Sequence, residues 1–550
     1  MATPFLINRK DVVLVKPAEP TPSEILSFST IDNDPNIELL CQTLYVYQAN
    51  PTSNSNGSSH AEVCVTPESA DPVLVLKTAL SKALVYYYPL AGKLKRNSNG
   101  RLEITCNGDG VPFMEATADC ALSSLNYFDG TDVKIGQEFV FDWPSHSAAG
   151  YHPLVLQVTR FSCGGFTVGM GLSHSVCDGY GAALFFRAMT ELATGKEHPS
   201  VKPVWEREIL VGKAISPAGQ DPFDFIRKTS LTQKSITMTE SKEDKNSIRN
   251  ETESKEDKNL VCSETESKEN KNSVHNETEN KENKNYVHNE TENKENKNYV
   301  RYLSSSITYE TDAILHQCFN VDAESIRWLK KRFTEEAAAH GDGESLTEAF
   351  TALEVLAAYI WRSRIRALKM NPDGNTILCL AVGIRKLLTD PPLPAGYYGN
   401  AFVSANAVSQ CKSLDRGPLY KVAKMIKESK KAVSSNDQIR RSIDTLEAFV
   451  QGNRKVDGGG AAFVLTDWRQ LRLSEEVEFG WGLSVNMIPL PWEMFGYVDL
   501  CIFLPPCRVN TAMEGGVRVL VSLPGAAMAT FNEEMDALKK WSSDNGMPRC

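Results

Sequence analysis

The stretch HPLVLQVTRFSCGGFTVGMGLSHSVCDGYGAALFFRAMTELATG, residues 152–195, decides the fold. Two apolar runs rich in β-branched residues flank Gly164-Gly165, which reads as a hairpin over 152–173. The chain then passes through HSVCDG into YGAALFFRAMTELATG (180–195), an apolar helix closed by Gly195. His174 is the first residue past the strand, and Asp178 lies just before the helix. Side chains at such a crossing stand at the edge of a sheet, where ligand crevices form.

Working outward, the same mixture recurs. LLCQTLYVYQ (39–48) reads as a strand, and 71–92 as a helix capped by Asp71, with Pro72 in its first turn and Pro89 and Gly92 ending it. In the second half, 323–333, 345–368, 419–433 and 527–541 read as helices, and 375–384, 497–506 and 517–524 as strands. Mixed elements in both halves predict an α/β (α+β) architecture with two sheets.

One segment stands apart. From Thr239 to Arg301 the sequence repeats every 13 residues, with 16 Asp or Glu against 12 Lys or Arg and one weak apolar pair per repeat. Such composition cannot offset the entropy of ordering, so disorder is the expectation. The period is too short for a solenoid unit. A tolerated expansion of a linker is the reading.

The totals narrow the function. The 550 residues carry a net charge of −10, which argues against a nucleic-acid partner. Thirteen Cys without a C-x-x-C pair argue against a disulfide framework or a zinc ribbon, and no metal site is expected. The start MATPFLINRK lacks the apolar core of a signal peptide, and no apolar run reaches the length of a membrane span. A soluble, cytoplasmic monomer is expected.

The chemistry concentrates at His174. There is no G-x-S-x-G elbow, P-loop or dinucleotide fingerprint, and His174 with Cys177 lacks a second pair of zinc ligands. An imidazole without an evident protein nucleophile suits direct attack by a substrate hydroxyl or amine, with His174 as proton acceptor. The competing reading is a satisfied turn histidine. For Asp178 the competing readings are a helix N-cap, a buried ion pair with an Arg, or direct catalysis.

HSVCDG, followed about 300 residues later by EFGWG (478–482), resembles the paired H-x-x-x-D-G and D-F-G-W-G signatures of the BAHD acyltransferases of plants. LVYYYPLAGKL (84–94), LQVTRF (156–161), YIWRSR (359–364), PPLPAGYYGNAF (391–402) and TDW (466–468) extend the resemblance to the whole chain outside 239–301. These versions look most like the alcohol acyltransferase branch, which holds benzyl alcohol benzoyltransferases and taxane acyl- and aroyltransferases.

The resemblance implies a two-lobed fold like chloramphenicol acetyltransferase, each lobe a mixed sheet flanked by helices, with a channel between. It implies a first lobe over 1–201, a crossover linker over 202–312 holding the repeats, and a second lobe over 313–550. The segment around 474–495 is expected to pack with the first lobe. By resemblance His174 is the catalytic base, while Asp178 and Gly179 shape its loop. Glu478, Phe479, Gly480, Trp481 and Gly482 form a structural loop in which Glu478 departs from the family's Asp. Thr466 or Trp468 would contact the substrate or the oxyanion.

The implied reaction moves an acetyl or aroyl group from acyl-CoA, a co-substrate rather than a bound cofactor, to a small-molecule alcohol, terpenoid or benzylic. Transfer to an amine is the first alternative. Hydrolysis, with His174 acting on water, and an inactive binding protein that keeps the channel are the others.

Overall fold

The hairpin forms as its residues dictate: Leu154–Phe161 and Phe166–Ser173 pair antiparallel, turning through Gly164 at φ +78°. That φ is open to glycine at little cost, which is why the turn falls there. The computed structural model describes residues 5–49, 71–130, 133–143, 149–213, 314–341, 349–452, 461–471, 479, 482–490 and 500–543. The described residues belong to one compact unit. The repeats at 239–301 and Glu478, Gly480 and Trp481 lie outside the described residues.

Around the hairpin a seven-stranded sheet runs, in spatial order, Ile7–Arg9, Val111–Ala118, Leu154–Phe161, Phe166–Ser173, Leu40–Ala49 and Gly482–Leu490. Val13–Val15 also pairs with Val111–Ala118. Strand Phe166–Ser173 is buried at every position. It therefore reads as a continuous apolar run rather than an alternating one. The last strand comes from far along the chain: Gly482–Leu490 pairs antiparallel with Leu40–Ala49, so both halves build this sheet.

The second sheet has six strands, ordered Ile314–Val321, Val517–Pro524, Leu500–Leu504, Ala462–Asp467, Asn375–Gly383 and Phe402–Gln410. Its strands alternate between two cores, because successive side chains leave opposite faces. Leu500, Ile502, Leu504 and Leu520 join Tyr45, Tyr47, Phe166 and Phe186 from the first sheet and its helix in one core. Cys501, Phe503, Val519 and Val521 turn to the other core, which also holds Ile360 and Trp361 of the helix Ala352–Ala367. A small third sheet of Glu24–Ser27, Leu102–Cys106 and Lys93–Arg96 completes the described strands.

Helix boundaries follow their caps. The helix Pro72–Tyr86 starts at Asp71, whose carboxylate accepts from Val73 N–H and also pairs with Arg160. The helix expected from Ser345 begins instead at Ala352, because Thr351 and Glu354 form a reciprocal capping box. The helix read as 323–333 continues to Ala339, through a run of helix formers that periodicity undercounts. Gly179–Ala193 and Gly525–Ser543 match their readings to within two residues. No helix among the described residues is long and apolar enough to cross a membrane.

Candidate active site

Five residues separate the end of strand Phe166–Ser173 from the start of helix Gly179–Ala193, and the turn they form is held by its main chain. The His174 N–H donates to the Leu39 carbonyl at 2.9 Å, and the Val176 N–H donates to Ser173 at 3.0 Å. The His174 carbonyl accepts from Asn400 Nδ2 at 2.7 Å. The Val176 carbonyl accepts from Arg207 Nη2 at 2.8 Å.

The imidazole itself is half-buried and meets the Phe402 ring edge-on, centroids 6.1 Å apart. Its Nδ1 is enclosed, with no hydrogen-bond partner among the described residues. The other ring nitrogen, Nε2, makes no hydrogen bond among the described residues.

Asp178 is treated in the opposite way. Its carboxylate caps the helix by accepting from Gly181 N–H at 3.0 Å, and also accepts from Ala401 N–H at 3.0 Å. Arg385 adds a bidentate pair at 2.6 and 3.0 Å. Burial pushes this carboxyl up, but the Arg385 guanidinium and the backbone N–H groups outweigh it and hold it below the usual carboxylate range. The N-cap and an ion pair with an Arg, alternatives in the sequence, are both present, the pair being half-buried rather than fully buried. The Arg385 guanidinium also donates to the Gly399 carbonyl and lies 4.5 Å from the Tyr180 ring centroid. No described hydrogen bond joins Asp178 to the imidazole.

Neither neighbour supplies a nucleophile. The Cys177 thiol donates to Tyr398 Oη at 3.4 Å, and burial pushes it up to about 12, so it stays protonated near neutral pH. The Ser175 hydroxyl is buried without a hydrogen-bond partner among the described residues, so it is not paired with His174 as a nucleophile must be with its base.

The second sequence stretch reaches the same turn. Val464 faces the core shared by the two sheets, and Thr466, two residues on, shares its face of the strand Ala462–Asp467. The chain leaves this strand in a single 3-10 turn, Trp468–Leu471, with Trp468 and Leu471 packed on that core. A Cβ on Gly179 would come within 2.5 Å of Leu471 Cδ1, so the glycine lets this turn lie against the start of the helix. Phe479 is buried against Tyr47 and Phe166, and Gly482 opens the strand that joins the first sheet.

Five residues around the turn carry no signal of their own in the sequence. Asn400 and Phe402 lie within the stretch PPLPAGYYGNAF, whose resemblance is a property of the whole run. Asp32, Arg207 and Arg385 carry no local signal, because each acts on a partner more than 140 positions away in the sequence.

Comparison with known proteins adds an independent line. The family model described as the Transferase family matches residues 6–538. A spermidine coumaroyl-CoA acyltransferase of Arabidopsis thaliana is 36% identical over 543 residues, 98% of this chain and 96% of the relative. A taxadien-5-alpha-ol O-acetyltransferase of Taxus chinensis is 29% identical over 543 residues, 98% of each. Among solved structures, vinorine synthase superposes with a TM-score of 0.62 at 17% identity, covering 97% of this chain and 98% of that one.

Proposed function

The chain belongs to the Transferase family, the BAHD acyltransferases that draw their acyl group from a CoA thioester, and on that premise we propose that it acylates an amine nitrogen of a polyamine with a hydroxycinnamoyl-type group, His174 acting as general base. The observation that carries the mechanism is the state of the imidazole. It is tied down through its peptide, its Nδ1 is enclosed, and no Ser or Cys beside it is set up as a nucleophile.

The acceptor's lone pair attacks the thioester carbonyl, and Nε2 takes the proton that the acceptor nitrogen must lose. The tetrahedral oxyanion then collapses, the C–S bond breaks, and the His174 imidazolium returns the proton to the departing thiolate. Amide and free CoA thiol are the products, and no residue is acylated on the way. The half-buried Thr466 hydroxyl is the proposed oxyanion donor. Trp468, packed on the core between the sheets, anchors the turn that follows the strand end bearing Thr466.

The polyamine reading rests on the relative that acts, by its name, on spermidine and coumaroyl-CoA. The net charge of −10 favours the approach of a polycation. O-acylation of a terpenoid or benzylic alcohol is the second reading, favoured by the taxadien-5-alpha-ol O-acetyltransferase that matches over the same length.

Release of CoA thiol separates the two. Coumaroyl-, sinapoyl-, benzoyl- and acetyl-CoA are each offered with spermidine, benzyl alcohol and taxadien-5α-ol. Turnover is expected with spermidine and a hydroxycinnamoyl-CoA. Turnover with an alcohol but not with spermidine overturns the amine reading in favour of the second.

A further inference from the structure

A base must be aimed as well as present. Protein imidazoles are commonly aimed through the second ring nitrogen, which hydrogen-bonds to a carboxylate or carbonyl. In this chain Nδ1 of His174 has no such partner among the described residues, and the carboxylate four residues on is taken by Arg385. What grips His174 is its own peptide.

We propose that Asn400 and Asp32 are positioning residues for His174, aiming the imidazole through the carbonyl of its peptide unit. The inference rests on the reading of His174 as the base. Asn400 is fully buried, and its Nδ2 donates to the His174 carbonyl at 2.7 Å and to Asp32 Oδ1 at 2.8 Å. The Asn400 backbone N–H donates to the same Oδ1 at 2.8 Å. The other oxygen, Oδ2, accepts from Arg207 Nη1 at 2.7 Å and from Ser29 N–H and Oγ at 3.1 and 2.8 Å. Arg207 turns its second nitrogen, Nη2, onto the Val176 carbonyl. One buried carboxylate thus aims two donors at the carbonyls on either side of Ser175.

The orientation of the amide supports this role. Flipping Asn400 would set its Oδ1 against both the Asp32 carboxylate and the His174 carbonyl, so the two acceptors fix it donor-first. Its Oδ1 is left buried with no partner among the described residues. A buried polar atom left unpaired is a cost. Here it accompanies a hydrogen bond made to the proposed base.

Asn400 is the informative position, because truncating Asp32 would strand the buried Arg207 charge and unfold more than it tests. The experiment is a double-mutant cycle of Asn400→Ala with His174→Ala, with melting temperatures recorded and residual turnover measured at high enzyme concentration. In the wild-type background Asn400→Ala is expected to lower kcat about 10- to 100-fold, the scale of a misplaced reacting group, with each KM changed less than about 3-fold. In the His174→Ala background the same change is expected to alter residual turnover less than about 2-fold, since no base is left to aim.

Equal fractional losses in both backgrounds, or unimpaired kcat in Asn400→Ala, overturn the proposal. Should the alanine variant not fold, Asn400→Ser, whose hydroxyl is too short to reach both the His174 carbonyl and Asp32, is carried through the same cycle and judged by the same two ratios. Normal turnover in His174→Ala alone instead overturns the base reading on which the proposal stands.

Discussion

The two ends of the turn between Ser173 and Gly179 are built to opposite specifications. At the strand end, the main chain of His174 is bonded on both sides, to Leu39 and to Asn400, while its ring makes no hydrogen bond among the described residues. At the helix end it is the side chain that is bonded: the Asp178 carboxylate takes two backbone N–H groups and a bidentate guanidinium. The first arrangement leaves a titratable atom available in a fixed place. The second uses up a titratable group to fix other things: the helix start, Arg385, and the segment around Ala401. Two polar residues four apart therefore differ in kind of work, and the hydrogen-bond count separates them where their chemistry as amino acids does not.

The sharpest way to break this comparison is His174→Ala. The variant is expected to fold, with a melting temperature near that of the parent, and to lose turnover by about 10²–10⁴-fold, the contribution of a general base. Asp178→Ala should do the reverse in stability. It leaves the half-buried Arg385 without its carboxylate and removes a cap, at about 2–4 kcal/mol, read as a lower midpoint in urea unfolding together with lost activity. A stable, inactive Asp178→Ala would erase the distinction between the two ends.

The same contrast has a pH signature. The Asp178 carboxyl sits below its ordinary range in the folded state, so its contribution to stability is present above about pH 4 and is lost as pH falls from there through the folded value. Melting temperatures of the parent should therefore fall more steeply over that acid range than those of Asp178→Asn. Parallel curves would contradict the assignment.

Turnover sharpens the other end. If His174 serves an aliphatic amine, kcat/KM at low spermidine should climb about tenfold per pH unit from about pH 7 to 9, as ammonium with a pKa of about 10 gives up its proton. With an alcohol, which has no ammonium proton to lose, no such climb over this range is expected. A plateau with spermidine over that range would contradict attack by the free neutral amine.

The smallest expected effect concerns the glycine beside the cap. Gly179→Ala must push Leu471 aside, at about 1–2 kcal/mol. Adding Leu471→Ala should recover part of that loss, and strict additivity of the two would show that the turn Trp468–Leu471 does not bear on the helix start.

How legible the molecule is in its sequence varies with the range of the interaction. The hairpin 154–173, the cap at Asp71 and the helix after Asp178 follow from neighbours within a few residues, so β-branched runs, Gly164 and capping residues announce them. The apolar pattern extends upstream of the capping box, so it predicts an earlier start than the Ala352 that Thr351 and Glu354 fix. The first sheet's edge, where Gly482–Leu490 pairs with Leu40–Ala49, has no local mark of its partner. The candidate site divides in the same way. His174 and Asp178 stand in one hexapeptide, whereas Asp32, Arg207, Arg385 and Asn400 are brought to it from across the chain.

Sequence alone determined which side chains could react here: a single imidazole at a strand-to-helix crossing, with no elbow serine, zinc pair or nucleotide loop to compete with it. It also determined the periodicities that make two mixed sheets. Tertiary structure decided what each polar group is free to do. A carboxylate's chemistry is set by who donates to it, and those donors are buried guanidinium, amide and backbone N–H groups whose positions depend on the packing of two sheets against a shared core. Spacing in the sequence cannot report that, because a hydrogen bond is made between neighbours in space.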